Sequence, residues 1–145
     1  MNQRGTTLIE VLAVISMITV LFSIGVGALM ASHKRTAFGN EVADAEQRIE
    51  ETQSMSRTSV RGLKWGMECN GATFTRFGIT STGVRSVEEA TLLPSGVNCN
   101  LAPGTVIFAK LTGVPDTNAT LTLTRGTQSA LLTIAQPGII DAHIQ

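Results

Sequence analysis

The sequence predicts an α+β protein in which a long N-terminal helix, apolar in its first half and amphipathic in its second, packs on a small antiparallel β-sheet domain. Three observations carry this prediction. Residues 11–31 hold no formal charge, apolar positions then recur at helical spacing as far as Thr52, and beyond Gly62 short β-branched segments alternate with turn residues.

The helix is preceded by a short polar head, residues 1–5, which carries Arg4 and ends in Gly5, a residue that breaks helices. The apolar run behind it matches the roughly 20 residues needed to cross a bilayer core. It exceeds the roughly 7–15 apolar residues of a secretory signal, so the run is read as retained and the head as removable. Ser16, Thr19, Ser23, Gly25 and Gly27 interrupt the run at a level that a membrane helix tolerates. Glu10 stands at its head. A carboxylate inside such a segment costs roughly 2.5–3.5 kcal/mol on insertion scales, so its presence needs a functional reason.

Beyond residue 32 the same helix changes character. Phe38, Val42, Ala45, Ile49 and Thr52 form one stripe, while Glu41, Asp44, Glu46, Arg48, Glu50 and Glu51 occupy other faces. A helix with a single apolar stripe must lie against something, most simply its own globular domain. It is expected to run to about residue 60 and to stop at Gly62.

Five strands follow, over residues 63–68, 73–79, 105–110, 120–124 and 130–134, which are rich in β-branched and apolar residues. Turn signals separate them, among them Asn70-Gly71, Pro103-Gly104, Arg125-Gly126 and Pro137-Gly138. An antiparallel meander is the simplest arrangement, with residues 81–100 as a long connection. Cys69 and Cys99 lie in turn-like surroundings, which suits an extracytoplasmic disulfide closing a loop of about 30 residues, worth roughly 3–4 kcal/mol in the chain-entropy model. Two unpaired thiols in a reducing compartment are the alternative reading.

Composition narrows function further. With zero formal net charge and 15% charged residues, the chain has neither a polycationic nor an acidic disordered character. Aromatic content is 4% with no Tyr, which argues against a large aromatic-lined substrate cavity. His33 and His143 lie near opposite ends, no CxxC occurs, and no Ser/His/Asp arrangement is legible, so neither metal, cofactor nor catalytic site is expected. Asn118-Ala119-Thr120 matches a glycosylation triplet, a pattern short enough to occur by chance.

Gly5 followed by Thr6-Thr7-Leu8-Ile9-Glu10-Val11-Leu12, heading a long apolar helix, resembles the type IV prepilin family, including the pseudopilins of type II secretion. Thr6 departs from the phenylalanine commonest at its position. The rest of the chain, through Phe77-Gly78, Val106-Ile107-Phe108, Leu121-Thr122-Leu123 and Pro137-Gly138, is similar to the GspH/FimT-type minor pilins. The resemblance implies a cleaved leader over residues 1–5, a transmembrane and filament-core helix over 6–32 and a soluble pilin-like domain over 33–145. It further implies cleavage between Gly5 and Thr6 by a prepilin peptidase, methylation of Thr6, and a minor subunit near the tip of a type IV pilus or a type II secretion pseudopilus.

The implied route runs through the bacterial inner membrane, in a single pass with the domain extracytoplasmic, and then into the filament. Implied partners are the peptidase, other pilins or pseudopilins along the N-terminal helix, and an inner-membrane assembly platform. In a bundle of parallel helices, Glu10 can approach the new amine of Thr6 on a neighbour and so offset the burial of both charges. The alternative for Glu10 is a carboxylate favoured by the helix dipole at a headgroup boundary. Two alternative functions are a permanent single-pass anchor and a DNA-binding minor pilin. For DNA, Arg57, Arg61 and Lys64 around the helix exit are the candidate phosphate contacts. Residues 138–145 contain no Arg or Lys, unlike the arginine-rich C-terminal stretch of DNA-binding members.

Overall fold

The computed structural model describes residues 7–136 and 138–144, with backbone alone at 24, 25, 28, 87, 88 and 139. Helix α1 (Leu8–Arg57) leads through a single 3-10 turn (Val60–Gly62) into seven strands. These are β1 (Lys64–Gly71), β2 (Thr73–Ile79), β3 (Arg85–Leu92), β4 (Val97–Phe108), β5 (Ala119–Arg125), β6 (Gln128–Ala135) and β7 (Ile139–Ile144). The chain divides into two compact units between Ala37 and Phe38.

The first unit contains the N-terminal part of α1. Thr7 caps it: the Glu10 amide donates to the Thr7 carbonyl at 3.0 Å and lies 3.4 Å from the Thr7 hydroxyl oxygen. Threonine followed three residues later by glutamate is the capping-box pattern, which satisfies amide groups otherwise left open at a helix start. Further along, the Ser16, Thr19 and Ser23 hydroxyls donate to the carbonyls of Ala13, Ile15 and Thr19. Hydroxyl groups bonded to their own backbone leave little polarity on the flank. Large apolar side chains remain exposed in turn, from Leu8 and Ile9 to Phe22, Leu29 and Met30.

This unit corrects one expectation. Among the described residues, no helix is long and apolar enough to cross a membrane. The apolar side chains are interleaved with Glu10, Ser16, Thr19, Ser23 and Gly27, and closed off by Lys34 and Arg35. A single-pass localisation in the bacterial inner membrane is therefore not retained, and the alternative of a permanent single-pass anchor goes with it.

The second unit is built on one sheet, in the order β3-β2-β1-β4-β5-β6-β7, with every neighbouring pair antiparallel. Phe38, Val42, Ala45 and Ile49 of α1 are buried against Met67, Phe74, Val106, Phe108, Leu121, Leu132 and Ile134. The helical stripe and the inward face of the sheet thus form a single apolar core, the main stabilising term of such a layered domain. Past Ile49 the stripe turns polar, with Thr52, Gln53 and Ser56 all buried.

The strand order is not a meander. β1, β2 and β3 run outward to one edge, and the chain then returns to lay β4 along the free side of β1. Residues 93–96 make that return past the β1–β2 turn, where the Leu93 amide donates to the Ala72 carbonyl at 2.8 Å. Residues 81–100, expected as a connection, instead hold β3 and the first part of β4. β3 is a charged edge strand, and such strands are shaped against edge-to-edge pairing rather than by an apolar face.

The helix ends at Arg57, slightly earlier than expected. Ser59 and Arg61 adopt left-handed backbone conformations (φ 53° and 54°) ahead of Gly62. Gly66 permits a close approach on the outer face, because a Cβ there would lie 2.7 Å from the Phe77 ring. Arg85 covers that ring, its guanidinium carbon 3.7 Å from the centroid.

Candidate functional site

Gly5 and Thr6, the expected cleavage and methylation positions, lie outside the described residues. Glu10 is exposed on the first turn of α1, with the apolar side chains of Leu8, Ile9, Val11 and Leu12 around it also exposed. Its backbone amide makes the contacts with Thr7, and the carboxylate stands exposed on an otherwise apolar flank. It is the only ionisable residue between Thr7 and Ser32.

The second unit secures the end of α1 through its buried polar residues. Gln53 Nε2 donates to the carbonyl oxygens of Gly113 at 3.0 Å and Gly138 at 3.2 Å. Ser56 Oγ donates to the Phe108 carbonyl at 2.7 Å, and the Leu111 amide donates to the Ser56 carbonyl at 2.9 Å. Gly113 has φ +67° and no room for a side chain, since a Cβ would run into the Arg57 stem. Residues 109–114 are thereby fixed over the helix end.

That arrangement decides what the basic candidates do. Arg57 Nε donates to the Thr112 carbonyl at 3.3 Å, so its guanidinium serves the loop. Arg61 sits in the left-handed turn before β1, and Lys64 is exposed at the start of β1. The three follow one another along the chain at the helix exit, but Arg57 is already engaged by the Thr112 carbonyl.

Cys69 and Cys99 are bonded to each other, with Cα atoms 5.8 Å apart, and both are buried. The bridge ties β1 to β4 where their register slips between Glu68 and Asn70. Sequence reasoning missed the ion pairs that link α1 to β2, β3 and β5. Arg76 on β2 meets Glu51 at 3.1 Å and Glu89 at 2.6 Å, while Arg48 meets Glu89 on β3 at 3.8 Å. Arg125 on β5 meets Glu41 at 2.6 Å. The helical charges Glu41, Arg48 and Glu51 were visible, but these partners lie on strands whose register the sequence does not reveal, whereas Asp44 pairs with Arg48 along the helix itself. Among the described residues no group of three or more His, Cys, Asp or Glu is placed to hold a metal ion. His143 and Asp141 form an exposed pair at 3.1 Å near the C-terminus.

A long N-terminal helix packed on an antiparallel sheet defines the pilin fold. Among solved structures, the minor pseudopilin EpsH from the type 2 secretion system of Vibrio cholerae is similar, with a TM-score of 0.57 at 14% sequence identity. The similarity covers 70% of this chain and 92% of that one. No family model matches the chain. No curated protein matches it either.

Proposed function

We propose that this protein is a structural subunit of a pseudopilin-like filament, placed at or near its tip, with the apolar part of α1 packed among the corresponding helices of other subunits. The observation that carries this reading is the combination of a pilin fold with a capped helix whose apolar side chains are exposed and interrupted by one carboxylate, Glu10. A surface of that kind is unstable in water and calls for cover by similar surfaces. Cleavage between Gly5 and Thr6 by a prepilin peptidase would place a new ammonium next to the helix start. Glu10 of one subunit then pairs with that amine on the next, and the pairing fixes the axial stagger of the bundle. Methylation of Thr6 keeps the positive charge. Other pilin-type subunits and an assembly platform are the partners this role requires.

The test separates the two roles of Glu10. Glu10→Gln keeps the capping-box geometry, because glutamine serves that position as well as glutamate, but it removes the charge. Recruitment of both Glu10→Gln and Glu10→Ala into fibres is expected to fall at least about tenfold, given that an uncompensated buried charge on the partner costs several kcal/mol. If Glu10→Gln assembles like the parent and Glu10→Ala does not, Glu10 acts through the cap alone and the charge pairing is wrong. Mass spectrometry of assembled subunits reads the N-terminus in the same samples; an intact Met1 overturns the proposal.

A further inference from the structure

Strand β1 departs from even pairing with β4 at one place. Glu68 pairs with Thr105 and Asn70 with Asn100, so residues 101–104 of β4 stand against Cys69 alone and the sheet opens between them. The opening forms a cavity of about 390 Å³, at the lower end of the range for small-ligand sites. Met67, Cys69, Phe74, Cys99 and Val106 belong to the apolar core shared with α1. Alternation along the strands therefore turns Glu68, Asn70, Thr73, Thr75, Asn100 and Thr105 to the opposite face, and all six line the cavity. They form a grid, with Glu68 between Thr75 and Thr105 and Asn70 between Thr73 and Asn100. The Cys69–Cys99 bridge pins β1 to β4 at the same point, so the grid is held in shape before any ligand arrives.

The hydrogen-bonding capacity of this grid is open. Asn70, Thr73, Thr75, Asn100 and Thr105 make no side-chain hydrogen bond among the described residues. Glu68 pairs through Oε1 with Arg85, which offsets its charge, and its Oε2 has no partner among the described residues. An amide side chain offers two donors and an acceptor, and a hydroxyl group offers one donor with acceptor lone pairs. A ligand that only accepts, such as a phosphate, or only donates, such as an ammonium, leaves half of that capacity unmatched. Ligand hydroxyl groups, which both donate and accept, match it and can replace the water on these side chains bond for bond. Rows about 7 Å apart along β1 and columns about 5 Å apart across to β2 give the spacing of one pyranose ring with its hydroxyl groups. β1 and β2 are each paired on both sides, which leaves no strand edge here for an extended peptide.

We propose that this cavity binds a neutral saccharide, with one pyranose unit of a longer chain seated across the grid. Asn70 and Asn100 hold adjacent ring hydroxyl groups at one end, Glu68 Oε2 accepts from a hydroxyl group at the other, and the threonines complete the contacts. Neutrality follows from the charges: the carboxylate and guanidinium of Glu68 and Arg85 offset each other, and no other ionisable side chain lines the cavity. The site lies within residues 68–105, on the face of the sheet turned away from α1. It is therefore separate from the Glu10 pairing, and either can fail without the other.

The experiment uses the full chain in a zwitterionic detergent that has no sugar headgroup. Cellohexaose, maltohexaose and N-acetylchitohexaose are each added up to about 10 mM, enough to fill a millimolar site, and nitrogen-edited NMR reads the side-chain amides. At least one of the three is expected to shift the Asn70 and Asn100 signals saturably while those of Asn40 and Asn118 stay in place. No saturable shift from any of them overturns the proposal. Asn70→Ala and Asn100→Ala are each expected to weaken binding about tenfold, the loss of one or two hydrogen bonds. Thr133→Ala, on the same face of the sheet but outside the cavity, is expected to leave binding unchanged. Equal losses from all three variants overturn the proposal, and backbone amide signals outside the cavity report that each variant is folded. The anionic hexamer of galacturonic acid is expected to bind about fivefold more weakly than the best neutral one, because the free oxygen of Glu68 repels it. Equal or tighter binding of that anion would assign recognition to Arg85 and overturn the proposal.

Discussion

At the residue scale the end of α1 depends on one amide. Gln53 is 5% exposed and its Nε2 serves two carbonyl oxygens, from Gly113 and Gly138, that come from loops far apart in the chain. Gln53→Ala removes the donor and leaves both acceptors in a buried setting, so it is expected to destabilise the fold by about 2–3 kcal/mol. Chemical denaturation measures this, and a change below about 0.5 kcal/mol would mean that water replaces the amide without cost. Glu10 offers the opposite lesson. The prepilin-like signature singled it out for charge, but threonine followed three residues later by glutamate at a helix start is also the capping-box pattern, a second local reason for that residue. The two reasons are compatible, and only a substitution that preserves one of them can distinguish them.

At the scale of elements, the helix was the most legible part. The stripe Phe38, Val42, Ala45, Ile49 and Thr52 appears in the sequence and is buried, because the 3.6-residue period is a strong local signal. Strands with clear alternation, such as Leu121 and Leu123 between threonines, were also recognisable and form β5. β3 was not, because Arg85 and Glu89 make ion pairs there and the strand has no continuous apolar face. The start of β4 was missed for a different reason: Val97, Cys99 and Leu101 do alternate, but asparagine and proline around them resemble a turn. The Cys69–Cys99 bridge joins β1 to this part of β4, closing a sequence separation of 30 residues. Its reduction is expected to cost about 3–4 kcal/mol in the chain-entropy model. For a domain of this size that lowers Tm by roughly 10–25 °C, read by thermal unfolding with and without reductant. A fall of less than about 5 °C would mean that the reduced chain keeps the two strands together in its unfolded ensemble.

At the scale of the whole molecule, the candidate sites divide by how local they are. The Gly5 to Glu10 signature is contiguous and could be read directly. The contacts that secure the end of α1 could not, because Gln53, Gly113 and Gly138 come from separate elements whose proximity depends on the strand order.

Ser16, Thr19 and Ser23 bond to carbonyl groups of their own helix, and this has a consequence for sorting. A flank whose hydroxyl groups are turned to their own backbone bears little address, so it mixes with any similarly plain helix, and neighbours rotate around it at little energetic penalty. Where several such subunits coexist, discrimination among them cannot arise along that stretch. It must be exercised at the two places where chemistry is distinctive, the acidic first turn and the folded head, and exchanging heads between subunits should therefore exchange their positions in an assembly.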